Sequence, residues 1–576
     1  MPNEFLTNNK TKGKILQFEN SPKIYGKLAH ERAEKNDLLG ALSLAFSSLK
    51  KEFSLTALED IANIYADMGL YEYSNKFWFK YLCSCDKKEY GSVYQDLAIN
   101  FFYLGENSVS LYYFQKALDL NGRIDKEELD PEILDFFVSK FNKKNAFRLI
   151  YPENRADYSQ VLKDARLALK IGDFERAEKL YGEIPECAKE YKEALSEHIV
   201  SDFITDKDQE ALDKIKTYRE KFGDDVFVLS NLSSIYHFRK DDDKANYYYK
   251  KVLELESKEP ADDLKKATTA IEQEDTKRAI GFFEKVIKKD FFEPKLIYIY
   301  ALALINGGEY ERAREEFYRL LKLDYQNPIY RYYVNLIDKL IEGQKSALRL
   351  LPVPYEEELP EMEVKKRTKR LQDLVALPPK NVSAILRKGE TKDLLRWGLK
   401  NRDGSVVALT TLLLATIPDK VFERYADLVL TDPSFDKRVK KMMAKIWITK
   451  GYFGKIDLVT DHMYIKFRAR KMPSFMAEGG EIFFDTYVNA LLTIALCGEE
   501  ETDKVAFGAD KVYKRFKDSD KKNSLKHDEL SALTVYLSGL RWSRDVKLLS
   551  KVFNVKKQKL DKLILEFEGE KSDKNN

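Results

Sequence analysis

Cysteine, histidine and long apolar runs are scarce in this chain of 576 residues. Its four cysteines are too few and too scattered to form a disulfide framework. This scarcity indicates a reducing compartment, which we expect to be the cytoplasm. No run of eighteen apolar residues occurs, so we expect no membrane-spanning helix and no membrane partner. The N-terminal residues also lack the basic-then-apolar order of a signal peptide.

The chain also lacks the patterns that carry catalysis. No His-Glu-x-x-His motif and no glycine-rich phosphate loop occur. Cys83 and Cys85 have no second pair to complete a zinc site. The five histidines are too widely spaced for a metal centre: His30, His198, His237, His462 and His527. We therefore expect a protein that is not an enzyme and that needs no metal or cofactor.

An alanine recurs instead at a constant interval of 34 residues over the middle of the chain. Apolar or aromatic residues follow each alanine at four and seven positions, which predicts the buried stripe of an amphipathic helix. A small side chain at the start of that stripe lets a second helix cross closely. The five residues are Ala177, Ala211, Ala245, Ala279 and Ala313.

A turn between two helices is expected five residues before each alanine. Gly172 and Gly308 occupy it in two units, where glycine readily takes a positive φ. Asp206, Lys240 and Glu274 occupy the same place in the others and depart from this pattern. Two stretches resemble tetratricopeptide repeats, which are helix–turn–helix units of 34 residues. They are residues 172–177, Gly-Asp-Phe-Glu-Arg-Ala, and residues 308–313, Gly-Glu-Tyr-Glu-Arg-Ala. The resemblance implies an all-α superhelix that binds proteins.

The same frame extends to the N-terminus with small shifts in spacing. Between Gly122 and Tyr158 the pattern fades, and one degenerate repeat belongs there. We predict nine repeats, closed by a capping helix over Pro328–Ile341. The small positions of the first three repeats are Ala29, Ala62 and Ala98 in the first helix, and Ala41, Ser74 and Ser110 in the second.

The second half of the chain is predicted to be a different helical region, so the fold class is all-α throughout. Asp432–Ala444 is similar to the start of one HEAT-type helix, in which an Asp-Pro turn comes first. The predicted domains are a flexible tail at 1–20, the tetratricopeptide superhelix at 21–341, a Pro/Glu-rich linker at 342–364, a basic helical domain at 365–470, a helical module at 471–568 and a disordered tail at 569–576.

Charge separates these regions. Residues 365–471 hold 25 Lys and Arg against 11 Asp and Glu, a net charge of +14. Aromatic residues alternate with cations near its end, which suits base stacking and phosphate contact. The candidate nucleic-acid contacts there are Lys466, Arg468, Arg470 and Lys471. The alternatives are a solvated face whose aromatics point into the core, and a surface that binds the acidic linker or an acidic protein.

Residues 545–564 are similar to a helix-turn-helix. Ser550, Asn554, Val555, Leu560 and Leu563 fall at its small, turn and apolar positions. The second helix would then expose three lysines to DNA, namely Lys556, Lys557 and Lys559. The alternative is a terminal helical hairpin.

The first helix of each repeat lines the concave surface in tetratricopeptide arrays. Aromatic and amide residues there suit an extended peptide or a partner helix. We therefore expect a non-catalytic scaffold that binds a protein or peptide. The alternative is a transcription regulator that binds nucleic acid through its basic C-terminal region and uses the array as a sensor. The predicted partner contacts are Phe102, Arg166, Phe203, Asn231, Phe238 and Tyr298.

Overall fold

The computed structural model describes residues 21–121, 158–170, 173–289, 292–343, 357–378, 389–472, 480–517 and 526–569, with single positions 133, 137, 382 and 385. The degenerate repeat at 122–158 lies almost entirely outside these residues. So do the N-terminal tail and the C-terminal one, except for Gly569, which ends the last helix.

The chain divides into two compact units. Unit 1 joins residues 1–137 to residues 367–576, and unit 2 comprises residues 138–366. The division differs from the predicted domains, because the first three repeats belong with the C-terminal region.

In unit 1, three helix pairs form the first repeats. The first helix of each pair is called helix A and the second helix B. The pairs are α1 (Pro22–Ala33) with α2 (Leu38–Lys51), α3 (Leu55–Asp67) with α4 (Tyr71–Ser84), and α5 (Tyr90–Tyr103) with α6 (Asn107–Asn121).

In unit 2, five further pairs follow, and then one closing helix. They are α7 (Ser159–Lys170) with α8 (Phe174–Gly182), α9 (Tyr191–Ile204) with α10 (Asp208–Phe222), α11 (Val226–Phe238) with α12 (Asp242–Glu254), α13 (Pro260–Glu272) with α14 (Thr276–Lys289), α15 (Pro294–Asn306) with α16 (Tyr310–Leu323), and α17 (Pro328–Ile341). A helix covers Pro328–Ile341, where the capping helix is predicted.

The small residues of the 34-residue period are the contact points of each helix pair. All five alanines of the period are completely buried, and so are Ser74 and Ser110 at the equivalent places in unit 1. The Ser110 hydroxyl donates to the carbonyl of Ala98 on the facing helix at 2.7 Å. A larger side chain would separate these backbones. Paired helices with small buried residues at their crossings are what the resemblance to tetratricopeptide repeats predicts.

The turn between helices A and B contains a residue in the left-handed backbone conformation, whether or not that residue is glycine. Asp206, Lys240 and Glu274 have φ angles of 59°, 59° and 58°, and Gly308 has 77°. The turn geometry predicted for glycine is therefore present in the three units that lack it. An L-residue in this conformation costs about 1–2 kcal/mol relative to a right-handed one.

The C-terminal region contributes the remaining helices. Helix α18 (Glu361–Val375) is followed by α19 (Gly389–Leu399), α20 (Gly404–Ala415), α21 (Asp419–Thr431) and α22 (Lys437–Thr449). After a β-hairpin come α23 (Glu481–Leu496), α24 (Val505–Phe516), α25 (His527–Tyr536), α26 (Val546–Val552) and α27 (Lys557–Gly569). None of the helices in the described ranges is long and apolar enough to span a membrane.

A two-stranded antiparallel hairpin interrupts the predicted basic helical domain. Strand β1 (Gly454–Thr460) pairs with β2 (Met463–Ala469), and Thr460 lies opposite Met463. The two residues of the turn, Asp461 and His462, have φ angles of 45° and 61°. Positive φ at both positions is the geometry of a tight type I′ hairpin turn. This hairpin departs from the helical character predicted for residues 365–470, although the region around it is helical.

The hairpin packs on the third repeat within unit 1. The fully buried Tyr113 hydroxyl donates to the carbonyl of His462 at 2.6 Å and accepts from the amide of Tyr464 at 3.3 Å. The ring of Phe101 lies 5.2 Å from that of His462. A buried ion pair joins α4 to the turn before α22, with Lys76 Nζ 2.9 Å from Asp432 Oδ2. These contacts explain why the two parts of unit 1 form one body.

Candidate peptide-binding groove

The A-helix face, which is the surface formed by successive A helices, carries the predicted partner contacts. Five of the six lie in unit 2, and Phe102 lies in unit 1. Phe102 is half-buried, and its ring is 5.7 Å from that of Tyr103. Tyr103 in turn stacks on Tyr71 at 4.8 Å. Phe102 is thus partly covered by its own repeat.

Two predicted anchors meet on neighbouring repeats of unit 2. Phe203 at the end of α9 and Phe238 at the end of α11 pack edge to face, with ring centroids 5.2 Å apart. Phe203 is half-buried, whereas Phe238 is 64% exposed and Ile204 next to Phe203 is 57% exposed. An edge-to-face aromatic pair with this much exposed surface can hold one apolar side chain of a ligand.

Arg166 is exposed but fully engaged by acidic residues. Its guanidinium donates to Glu197 at 2.8 Å and to Glu193 at 2.5 Å. The hydrogen bond to Glu197 is the main reason that the pKa of Arg166 is raised further. The Tyr181 hydroxyl also donates to Glu197, at 3.1 Å. A ligand carboxylate would therefore have to compete with two carboxylates already in place.

Asn231 is not an exposed contact, and its prediction is corrected by its burial. Only 4% of the residue is exposed, since the next A helix covers it. Its side-chain oxygen accepts from Lys265 Nζ at 3.0 Å. Burial lowers the pKa of Lys265, with Glu272 acting in the opposite direction. Asn231 therefore orients a groove lysine instead of meeting a partner directly.

Tyr298 is also corrected, because it is completely buried. Its hydroxyl donates to the carbonyl of Glu358 at 2.8 Å, so a segment of the predicted linker covers it. Asn327, Tyr330 and Tyr333 contact the same segment and are not among the residues predicted from the sequence. A signal was present, since these residues begin the capping helix one repeat after Tyr298.

One side-chain cluster in unit 2 resembles a metal site. Glu178, His198 and Asp202 place one ligand atom each within 4.8 Å of one another. Lys207 Nζ lies 2.7 Å from Glu178, however, and Lys214 Nζ lies 2.6 Å from Asp202. Burial, together with the charge of Lys214, lowers the pKa of His198. Because a dication would have to displace two ammonium groups, we interpret the cluster as an ion-pair network.

The predicted nucleic-acid residues on the hairpin share one exposed face. Lys466, Arg468 and Arg470 point outward, and Lys471 follows them. Lys466 pairs with Asp457 at 3.1 Å and Arg470 with Asp503 at 2.9 Å, so two of the charges are locally neutralised.

The stacking part of the nucleic-acid hypothesis is wrong for this strand. Phe467 is 1% exposed in the core of the C-terminal region, and Tyr464 is 7% exposed because it packs against Tyr90 of the third repeat. They cannot stack on bases. The alternative interpretation, a solvated face with its aromatics in the core, describes the strand correctly.

The helix-turn-helix positions have the expected local geometry. Asn554 lies between α26 and α27 with a φ of 52°. Val555, Leu560 and Leu563 are buried, as such a unit requires. The three predicted lysines Lys556, Lys557 and Lys559 are exposed, and Lys559 Nζ lies 3.4 Å from Glu529. This geometry fits both the DNA-binding unit and the terminal helical hairpin.

A small cavity between α22 and the hairpin turn contains a buried lysine. Lys440 is 2% exposed, and burial lowers its pKa to about 8. Its ammonium group donates to the carbonyl of Val459 on β1. A lysine held in this way ties the hairpin to α22, so we assign it a structural role.

No protein-family model matches the chain, and no curated protein matches it. Among solved structures, it is similar to a tetratricopeptide repeat protein from Parabacteroides merdae, with 13% identity over 55% of this chain and 98% of that one and a TM-score of 0.28.

Two yeast structures are similar as well. Tom70 has 13% identity over 74% of this chain and 88% of its own, with a TM-score of 0.28. The TPR2AB domain of Sti1, solved as a complex with pHSP90, has 14% identity over 56% and 95%, with a TM-score of 0.17. These values are too low to carry an argument about partners or activity.

Proposed function

We propose that this protein is a non-catalytic scaffold of a reducing cytoplasm that binds a partner protein on the A-helix face of unit 2. The observation that carries the proposal is the edge-to-face pair formed by the half-buried Phe203 and the exposed Phe238. The four cysteines are free thiols, which fits such a compartment.

The pair is suited to anchor an apolar side chain of a peptide or helix. Aromatic residues dominate the energy of protein interfaces when a partner excludes water from them. The carboxylates of Glu193 and Glu197 lie on the same helix as Phe203. Because their charge is only partly balanced by Arg166, we expect the bound segment to combine apolar side chains with basic ones.

The test is peptide selection with the purified full-length protein, followed by equilibrium titration of the selected peptides. We expect alanine at both Phe203 and Phe238 to weaken binding by more than about tenfold, the loss expected of aromatic anchors. Phe53 is a matched control, since it is a phenylalanine with 61% exposure in the other unit. Equal affinity of the wild-type and double-alanine proteins would place the site elsewhere.

A second function, nucleic-acid binding, is supported by the positive φ of Asn554 and the exposed lysines beside it. If phosphate neutralisation drives binding to duplex DNA, log affinity falls against log salt by about 0.9 for each contact. Alanine at Lys556, Lys557 and Lys559 should flatten this slope. Absence of binding at low salt, measured by fluorescence anisotropy, would leave these helices as a terminal hairpin.

A further inference from the structure

The last repeat of unit 2 already holds a peptide-like segment of its own chain. Three buried tyrosines, Tyr298 on α15 and Tyr330 and Tyr333 on α17, form what we call the tyrosine cluster. The non-helical residues 357–359, which we call the linker segment, lie against it. Fifteen residues, 342–356, separate the segment from the end of α17 at Ile341, so the contact joins parts of the chain that are distant in sequence.

The cluster binds the main chain of the segment on both sides of one residue. The hydroxyls of Tyr298 and Tyr333 donate to the carbonyl of Glu358 at 2.8 and 3.0 Å. The amide of Glu358 donates back to the Tyr298 hydroxyl at 3.1 Å. Contacts to a carbonyl and an amide do not depend on the side chain, so this position accepts any residue.

At positions 357 and 359, on either side of Glu358, the contacts involve the side chains of the segment. The carboxylate of Glu357 accepts from Asn327 Nδ2 at 3.0 Å and from the hydroxyl of Tyr330. Leu359 is 6% exposed, so it occupies an apolar position. Read as a ligand, the linker segment has the pattern Glu-x-Leu. Hydrogen bonds to a charged group and one buried leucine provide both affinity and specificity.

The chemistry of the cluster permits the segment to leave. A buried tyrosine hydroxyl needs a hydrogen-bond partner, and water can take that place once the segment is absent. An apolar core surface would instead be left exposed at a larger cost. Because Leu359 is the one buried apolar side chain of the segment, and its other contacts are hydrogen bonds that water can replace, the segment has the character of an exchangeable ligand.

We propose that the tyrosine cluster is a binding site for extended acidic peptides with the pattern Glu-x-Leu, filled in cis by Glu357–Leu359 and opened to a partner protein with that pattern. The proposal rests on the proposed function, because it uses the same A-helix face, but it uses a separate site from Phe203 and Phe238. A tethered segment acts at an effective concentration near the millimolar range. A partner must therefore outcompete it.

The experiment uses a fluorescent synthetic peptide with the sequence of residues 355–362, Tyr-Glu-Glu-Glu-Leu-Pro-Glu-Met. It is titrated against the full-length wild-type protein and a triple variant with Glu357→Gly, Glu358→Ser and Leu359→Gly. We expect the triple variant to bind the peptide roughly tenfold or more tightly than the wild type, because the cis competitor is gone. Equal binding by the two proteins, or no binding by either, would overturn the proposal.

Two controls test the chemistry of recognition in the triple variant. Adding Tyr330→Phe removes a donor to the glutamate and should weaken peptide binding about tenfold. Adding Tyr318→Phe, at a tyrosine that is 48% exposed on α16, helix B of the last repeat, should leave the affinity unchanged. Equal effects of the two changes would contradict the assigned site.

Hydrogen exchange of the wild-type protein keeps the proposal testable if the triple variant fails to fold. Excess free peptide should reduce the protection of the Glu358 amide, since that amide loses its partner when the segment is displaced. Unchanged protection would show that the segment is fixed packing. Alanine at Phe203 and Phe238 should not alter this result, so failure of the proposed function and failure of this inference are distinguishable.

Discussion

Replacing Lys76 with methionine should destabilise unit 1 more than any surface change, because it leaves a buried carboxylate without its cation. Asp432 is 1% exposed, and Lys76 Nζ lies 2.9 Å from it. Burial alone would raise the pKa of Asp432, but the charges of Lys76 and Lys400 hold it well below its usual value. The carboxylate therefore stays ionised in the folded protein.

The size of the destabilisation depends on the partners that the Asp432 carboxylate retains in the Lys76→Met variant. Removing one partner of a buried ion pair typically costs about 3–5 kcal/mol. Asp432 still accepts from the amide of Ser434 at 3.0 Å and from its hydroxyl at 2.7 Å. Because these bonds and Lys400 remain, we expect the lower end of the range, about 3 kcal/mol.

The assay is urea-induced unfolding of the full-length protein followed by tryptophan fluorescence. The four tryptophans, Trp78, Trp397, Trp447 and Trp542, all belong to unit 1, so the signal reports that unit alone. The set of proteins is the wild type, Lys76→Met, Asp432→Asn and the double variant. The double variant should be more stable than the sum of the single changes predicts, by about 1 kcal/mol or more.

The pH dependence provides an independent check. Since the pKa of Asp432 is lowered by folding, its contribution to stability is fully present above its unfolded pKa of about 3.9. It is lost as the pH falls below that value. The stability difference between wild type and Asp432→Asn should be constant above about pH 5 and shrink below about pH 4. A cost below about 1 kcal/mol for Lys76→Met, or strict additivity in the double variant, would refute the reasoning.

Three further predictions concern the repeats and the hairpin. Changing Lys240 or Glu274 to glycine should stabilise unit 2 by about 0.5–1 kcal/mol each, because the strain relieved at the left-handed φ exceeds the conformational entropy that glycine adds to the unfolded chain. Thermal unfolding followed by circular dichroism measures this stabilisation, and a lower Tm of the variant would contradict the prediction. Changing Ala245 to leucine should cost about 1–3 kcal/mol through overpacking, and no loss in the same assay would contradict close helix contact. Changing Tyr113 to phenylalanine should cost unit 1 about 1–3 kcal/mol by orphaning the His462 carbonyl; unchanged urea unfolding would contradict that contact.

The repeats could be predicted from the sequence because their determinants are local. The crossing of helices A and B requires a small residue at a fixed place in every unit, so Ala177 to Ala313 mark the pairs directly. The capping helix follows the same spacing. The turn residues Lys240 and Glu274 show that the fold imposes a positive φ even where the side chain disfavours it.

The groove could be predicted only in part, because burial depends on distant segments. Tyr298 has the periodic position of a partner contact, but it is completely buried, and its hydroxyl donates to the carbonyl of Glu358, 60 residues away. Nothing in the 34-residue period encodes that contact. Phe238 stays 64% exposed and Phe203 half-buried, because no described segment of unit 2 covers them as residues 357–359 cover Tyr298.

The hairpin was not predicted from the sequence, although an alternation of apolar and charged residues typical of a strand is present there. Ile465, Phe467 and Ala469 are buried, while Lys466 and Arg468 between them are exposed. This alternation has the period of a strand. The clustered positive charge is also typical of a binding surface, but in this strand the charged residues form its solvent-exposed face at the surface of unit 1.

The central claim is that the A-helix face of unit 2 receives a partner protein. A photo-crosslinking amino acid at position 238, compared with one at the equally exposed position 53, tests it most directly in the native cell. We predict specific crosslinks from position 238 that disappear when Phe203 is changed to alanine. Crosslinks from position 53 alone, with none from position 238, would contradict the account.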